Sequence, residues 1–325
     1  MLKILKMFAK KLTIKQYNER RYFRAKKKLC TIESDRLFSK RYEFINRSNE
    51  SENLLLILAG FQEYYWEGVL GRVKLNQNQF EENIDICICV PGESGSELKK
   101  FAERYNWSFL RINDDLLAQA QNTAIMLHPN ARWIYKIDED IIISENYFKK
   151  LKKSYASAQE QLNTKIGVIS PLLNVNACGV SSFLNTLEIT GKFESQFGKL
   201  RIGLEEYIHK NPDVAKWLWE RSVPFDAVSK KIEVLNSGKV KVCPYRLSIG
   251  AILFTREFWE EIGCFQVSGI GYMGIEEEQV NAYCVNKMYS VVMALDTFAG
   301  HLGFFSQKEI CKIFYEENKN EICVD

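Results

Sequence analysis

The sequence predicts an α/β fold: a doubly wound, mostly parallel central sheet with flanking helices, a basic helical arm in front and a helical insertion within. Two observations predict it. From about residue 54, short β-rich apolar runs alternate with amphipathic stretches of helical length, as the crossover connections of a parallel sheet require. A chain of 325 residues with 46% hydrophobic and 13% aromatic content can also bury a substantial core as one large domain with appendages. Charge marks the boundaries. Residues 1–50 hold 15 Lys/Arg against 5 Asp/Glu, a net +10 that leaves −7 for the rest of a chain whose total is +3. The expected organisation is therefore an arm over 1–50, the α/β domain over 51–310 and a tail over 311–325.

The arm opens with Leu2-Lys3-Ile4-Leu5-Lys6-Met7-Phe8-Ala9-Lys10-Lys11-Leu12. As a helix it carries its apolar residues on one side and its lysines on the other, the pattern of a segment lying on anionic lipid, where each cation near the surface adds about 1 kcal/mol. It is too short and too charge-broken to span a bilayer or form a signal-peptide core. A solvated arm and a nucleic-acid contact are the alternatives, but nothing resembles a nucleic-acid-binding module. The expectation is peripheral contact through residues 1–28 with the inner face of the cytoplasmic membrane. The nine cysteines are scattered and free of C-x-x-C pairs, which fits small hydrophobic roles in a reducing cytoplasm better than disulfides or zinc.

The elements follow in order. Strands are expected at 54–61, 84–90, 107–112 and 132–137, with helices at 63–75, 96–105 and 116–127 between them; Pro91-Gly92 and Pro129-Asn130 act as stops. A helix at 147–161 and a strand at 166–170 come next. The stretch from about 174 to 245 loses the alternation and forms the insertion. Regularity returns with a strand at 247–254, a helix at 256–262, a helix from the Glu276-Glu277-Glu278 cluster to about 287, and a strand at 290–295.

The strand at 132–137 delivers Asp138-Glu139-Asp140 to the carboxyl edge of the sheet, where ligands of open α/β sheets bind. Carboxylates at i and i+2 leave a strand on the same side. Burying two like charges costs several kcal/mol unless something compensates, and a divalent metal carrying a diphosphate does so. A solvated acidic turn is the plain alternative.

The order of the blocks resembles family 2 glycosyltransferases of the GT-A fold over roughly 54–305. The family's first-strand turn is here Ala59-Gly60-Phe61-Gln62-Glu63, its Ala-Arg-Asn is Ala120-Gln121-Asn122, and its D-x-D is Asp138-Glu139-Asp140. Its Gly…Arg segment with Gly-Gly-Phe is Gly250 through Arg256 and Gly263-Cys264-Phe265; its acidic block is Gly274-Ile275-Glu276-Glu277-Glu278. Gly300-His301-Leu302-Gly303 resembles a late metal-binding histidine.

The resemblance implies sugar transfer from a nucleotide-sugar donor to a glycan or glycolipid acceptor, in surface-glycan synthesis and with inversion. It implies Asp138, Asp140 and His301 as ligands of Mn²⁺ or Mg²⁺, with Asp138 alternatively accepting from the ribose. It also implies Glu277 as general base ahead of Glu276 and Glu278, and donor contacts from Ala59, Gly60, Phe61 and Asn122. Two departures stand out. The family's base-reading Asp is replaced by Val90-Pro91-Gly92-Glu93, leaving Glu93 or Glu63 as substitutes, and its Arg is Gln121. The insertion, with Trp217, Trp219, Tyr207 and Arg221, is either an acceptor platform, since sugars stack on aromatic faces, or a helical packing lid. The rival readings are a metal-dependent nucleotidyltransferase, which wants a basic residue in the first-strand loop, and a non-catalytic glycan-binding protein.

Overall fold

Apolar alternation along the strands sorts side chains onto two faces, and the computed structural model, which describes residues 36–203, 207–267 and 274–324, shows both faces covered. The amino-terminal half comprises β1 (Tyr42–Ile45), β2 (Asn53–Leu58), α1 (Glu63–Gln79), β3 (Asp85–Pro91), α2 (Ser96–Tyr105), β4 (Ser108–Ile112), α3 (Leu117–Leu127), β5 (Trp133–Asp138) and β6 (Ile141–Ile143). Then come α4 (Tyr147–Leu162), β7 (Ile166–Leu173), α5 (Val180–Thr186), α6 (Thr190–Phe197), α7 (Tyr207–Lys210), α8 (Pro212–Glu220), α9 (Phe225–Leu235) and β8 (Val240–Val242). The chain closes with β9 (Ala251–Thr255), α10 (Arg256–Glu261), α11 (Ile275–Lys287), β10 (Ser290–His301), α12 (Lys308–Glu317) and α13 (Lys319–Ile322).

The sheet order is β1-β4-β3-β2-β5-β9-β7-β10-β6, with β8 on β10. Strands β2, β3, β4, β5, β7 and β10 run one way, and β1, β6, β8 and β9 run against them. Leu55 and Ile57 join the core beneath α1, α2 and α4, whereas Leu54 and Leu56 join the one beneath α3, α10 and α11. One face for odd and one for even residues is the strand period at work. The carboxyl ends of β2, β5, β7 and β10 meet at one end of the sheet. The start of antiparallel β9 lies there too, its preceding Gly250 O accepting from Asp138 N at 2.9 Å.

Three stretches differ from expectation. Residues 42–45, placed in the helical arm, form β1, which pairs antiparallel with β4 and covers that edge; Phe44 and Ile45 alternate between the two cores. The rest of the arm, including the amphipathic 2–12 segment, lies outside the described residues. Strand β10 runs past 295 to His301 because its register against β7 shifts between Ala294 and Phe298, letting the polar Asp296-Thr297 pass without ending the strand. The expected tail is helical and packed: Cys311, Phe314, Tyr315 and Ile322 are buried, and Arg72, itself buried and paired with Asp226, donates to the Ile322 carbonyl. Among the described residues no helix is long and apolar enough to cross a membrane.

Candidate active site

The three acids of the triplet have three different surroundings. Asp138 ends β5, and its Oδ1 lies 2.6 Å from Nζ of Lys136, two residues earlier on the same face of the strand. Lys136 is 3% exposed and also donates to the Ile249 carbonyl at 2.8 Å. Burial lifts the Asp138 carboxyl above its usual range, and Lys136 opposes the rise. The Asp138 side chain is nevertheless 33% exposed with Oδ1 buried, so its open edge is Oδ2. Gly250 keeps that edge clear, since a Cβ there would come within 3.2 Å of it.

Glu139 points the other way and is 3% exposed. Its carboxylate accepts from Gly60 N at 2.9 Å, Phe61 N at 3.0 Å and Trp66 Nε1 at 2.6 Å. It clamps the loop after β2 to the turn after β5. Burial raises its pKa despite these donors.

Asp140 faces His301. Its Oδ2 accepts from Gln62 Nε2 at 2.9 Å, while Oδ1 stands 3.9 Å from His301 Nε2. His301 Nδ1 lies 3.0 Å from the Val175 carbonyl. A carbonyl only accepts, so Nδ1 carries the proton, and in the neutral ring the Nε2 lone pair looks at the carboxylate. The fold enforces this meeting: His301 pairs with Ile141 across β10 and β6, and Leu302 N donates to the Asp140 carbonyl at 3.0 Å. A carboxylate oxygen and an imidazole nitrogen aimed at each other, too far apart to hydrogen-bond, suit a divalent cation such as Mn²⁺ or Mg²⁺ between them. Of the expected trio, Asp140 and His301 face each other, while Asp138 has one oxygen on Lys136 and the other open; among the described residues no three His, Cys, Asp or Glu side chains gather around a metal position.

The glutamate cluster divides likewise at the start of α11. Glu277 is tied to Arg246, with Nε at 2.7 Å, and to Ile249 N at 3.2 Å, and Glu278 lies 3.4 Å from Arg246 Nη1. Glu277, favoured as base, thus anchors the loop before β9 to α11. Glu276 is 7% exposed, its carboxyl lifted by burial, with Lys136 opposing and Asp138 reinforcing the rise. Glu276 is thus electrostatically joined to the end of β5.

Other expected donor and acceptor residues need correction. Asn122 is fully buried, donating to the Leu37 and Phe265 carbonyls and accepting from Trp259 Nε1 and Phe265 N. All its polar capacity is used inside the protein, so it has none for a donor. Ala59 is buried with its N–H on the Cys89 carbonyl, and Gly60 and Phe61 give theirs to Glu139, so this backbone cradles a carboxylate in place of a phosphate. The Phe61 ring, Glu63 and Glu93 remain exposed. Trp217 and Trp219 are core residues. Arg221 lies over the Trp217 ring at 3.6 Å, and Trp219 Nε1 donates to the His301 carbonyl at 2.8 Å. A Cβ at Gly300 would fall 2.4 Å from the Trp219 ring, so glycine there leaves room for the indole against the histidine strand. For these two rings the packing-lid reading holds and stacking on an acceptor does not. The side chain of Tyr207 lies outside the described residues.

Two site residues escaped sequence reasoning: Gln62 and Lys136. Lys136 left a signal, a cation two positions before Asp138 within an apolar run; Gln62 left only its place in the 59–63 turn.

No protein-family model matches this chain, and no curated protein matches it either. Solved structures similar to it include the mannosyltransferase PcManGT from Pyrobaculum calidifontis in complex with GDP-Man and Mn²⁺, with a TM-score of 0.43 and 10% identity over 82% of this chain and 62% of that one. Another is GalNAc-T7 with UDP, GalNAc and Mn²⁺, with a TM-score of 0.43 and 12% identity over 78% of this chain and 44% of that one. The chain thus spans less than two thirds of the length of either.

Proposed function

We propose that this protein is a GT-A type, metal-dependent glycosyltransferase that moves a sugar from a nucleotide-sugar donor to a hydroxyl group. The observation that carries the reading is the Asp140–His301 pair, with Nε2 turned to the carboxylate at the carboxyl end of the sheet. Asp140 and His301 hold the cation. Bound there, Mn²⁺ or Mg²⁺ supplies Lewis-acid neutralisation of the departing nucleoside diphosphate. Asp138, fixed by Lys136, offers Oδ2 to a ribose hydroxyl. The test is a panel of nucleotide sugars assayed for nucleoside diphosphate release with and without Mn²⁺; release of pyrophosphate instead would favour nucleotidyl transfer. That rival is disfavoured because residues 59–63 hold no basic side chain and the Gly60 and Phe61 N–H groups already face Glu139.

Glu276 is the general base in this reading: it takes the acceptor proton as the oxygen attacks the face opposite the leaving group, giving inversion. A base works deprotonated, so kcat/KM should rise with pH along a limb whose midpoint lies above the ordinary 4.5, the direction in which burial moves Glu276. Glu276→Gln should lower the rate about 10²- to 10⁴-fold and remove that limb. A Glu277→Gln enzyme should keep the limb, and the opposite assignment of the two effects would return the base to Glu277.

With Trp217 and Trp219 buried, rings open to a base or sugar among the described residues include Phe61 and Tyr245, each 55% exposed, and Phe305, 74% exposed. Phe61 is held in the Glu139 clamp by its N–H, Tyr245 precedes Arg246, and Phe305 lies just beyond His301. A hexosyl donor and a surface-glycan acceptor, used by an inverting enzyme of family 2 type, complete the proposal, and the net +10 of residues 1–50 supports its place at the cytoplasmic face of the membrane. Deleting residues 1–28 should reduce cosedimentation with anionic phosphatidylglycerol vesicles at low salt. Unchanged cosedimentation removes the membrane part.

A further inference from the structure

Resting on the metal reading above, we propose that Gln62 is a positioning residue that makes Asp140 a one-oxygen ligand and so gives the site its preference for a small octahedral cation over a larger one. Gln62 sits between β2 and α1, 6% exposed. Its Nε2 donates to Asp140 Oδ2 at 2.9 Å, and the Tyr64 hydroxyl donates to its Oε1 at 3.2 Å. Amide orientation follows from chemistry: an ionised carboxylate only accepts, so the –NH₂ end faces Asp140 and the carbonyl end is left for the Tyr64 proton.

One carboxylate oxygen is therefore occupied before any cation arrives. The other, Oδ1, faces His301 Nε2 at 3.9 Å. The same turn is pinned from behind by the Glu139 clamp on Gly60 and Phe61, which immediately precede Gln62, so the amide is presented from a held loop. A cation at Oδ1 meets one oxygen of Asp140 and cannot take both without displacing the amide. Mg²⁺ requires near-ideal octahedral geometry, and Mn²⁺ adopts the same arrangement, whereas Ca²⁺ takes more oxygens and readily accepts a bidentate carboxylate. Holding Oδ2 thus disfavours Ca²⁺ and aims Oδ1 for Mn²⁺. In sequence neither residue announces this, because a glutamine followed two positions later by a tyrosine is unremarkable at a helix start.

The experiment titrates Mn²⁺ into the full chain, without nucleotide, by the electron paramagnetic resonance signal of free Mn²⁺, and repeats it with Ca²⁺ as competitor. Wild type should bind Mn²⁺ and yield it reluctantly to Ca²⁺. Gln62→Met, similar in length but without a donor, should weaken Mn²⁺ binding about ten- to a hundredfold, as loss of a group orienting a metal ligand does, and improve the competition by Ca²⁺. Tyr64→Phe keeps the ring, releases the amide and should fall between. Metal-free melting temperatures identify any variant that fails to fold, and Tyr64→Phe then decides alone. Unchanged Mn²⁺ affinity and unchanged Mn²⁺/Ca²⁺ preference in a folded variant overturn the role of Gln62. Wild type that binds no Mn²⁺, or binding that survives Asp140→Ala, overturns the metal reading itself, so the two failures are told apart.

Discussion

Asp140→Ala should reduce Mn²⁺-dependent nucleoside diphosphate release by about a hundred- to a thousandfold, the scale on which removal of a single charge-stabilising group acts in a preorganised site. The substitution removes the oxygen at 3.9 Å from His301 Nε2 together with the acceptor for Gln62 Nε2, leaving an imidazole as the sole member of the pair. Mn²⁺ binding should fall in parallel. A loss in rate with intact Mn²⁺ binding would move Asp140 from cation to substrate, and release indifferent both to metal and to this substitution would remove the enzymatic reading. His301→Ala tests the other side of the pair. Its backbone N–H bond to Asn174 Oδ1 and its carbonyl bond to Trp219 Nε1 do not depend on the ring, so the strand should persist while the nitrogen ligand is lost.

The fold was legible wherever one period ran uninterrupted. Residues 96–105 and 132–137 read as a helix and a strand, and the structure places α2 at Ser96–Tyr105 and β5 at Trp133–Asp138. Strands β1, β6 and β8 were missed because three or four residues carry too little alternation to register. At the candidate site, spacing drew attention to Asp138 and Asp140, and only the resemblance drew it to His301, which the fold sets 3.9 Å from Asp140.

What could not be read was which acid does what. A run of carboxylates announces charge without announcing partners, and the partners are far away in sequence: Glu139 meets the N–H groups of Gly60 and Phe61 from 79 and 78 positions off, and Glu277 meets Arg246 from 31. Asn122 was misassigned for the same reason, its partners Trp259 and Phe265 lying 137 and 143 residues on. For Trp217 and Trp219 the sequence left two readings open, since a tryptophan is equally at home in a core and on a sugar-binding face, and their burial favours the core. In each case local residue type left the role open, and burial or a partner far off in sequence set the surroundings.

Glu139 carries the second large expectation, in stability. Replacing it with alanine leaves the Gly60 and Phe61 N–H groups and the Trp66 indole N–H without their common acceptor in a site the carboxylate occupies at 3% exposure. Each orphaned buried donor costs about 1–3 kcal/mol, so Glu139→Ala should lower the unfolding free energy by about 3–5 kcal/mol once partial hydration of the vacated space is allowed for. Glu139→Gln retains one acceptor oxygen but turns an –NH₂ toward a donor, and should lie between. The sign of the pH effect separates charge from shape. Burial raises the Glu139 pKa above its ordinary 4.5, so the folded state holds a proton that the unfolded state has released, and stability attributable to this group falls as pH rises from 4.5 through the raised value, then levels. Glutamine has no proton to release, so urea midpoints across that interval should slope downward more steeply for wild type than for Glu139→Gln. Activity should follow stability in both variants, because the loop that Glu139 clamps is the one that carries Gln62 to Asp140. A Glu139→Ala protein as stable as wild type, or one whose Mn²⁺ affinity is untouched, would show that the clamp and the Asp140 carboxylate are independent.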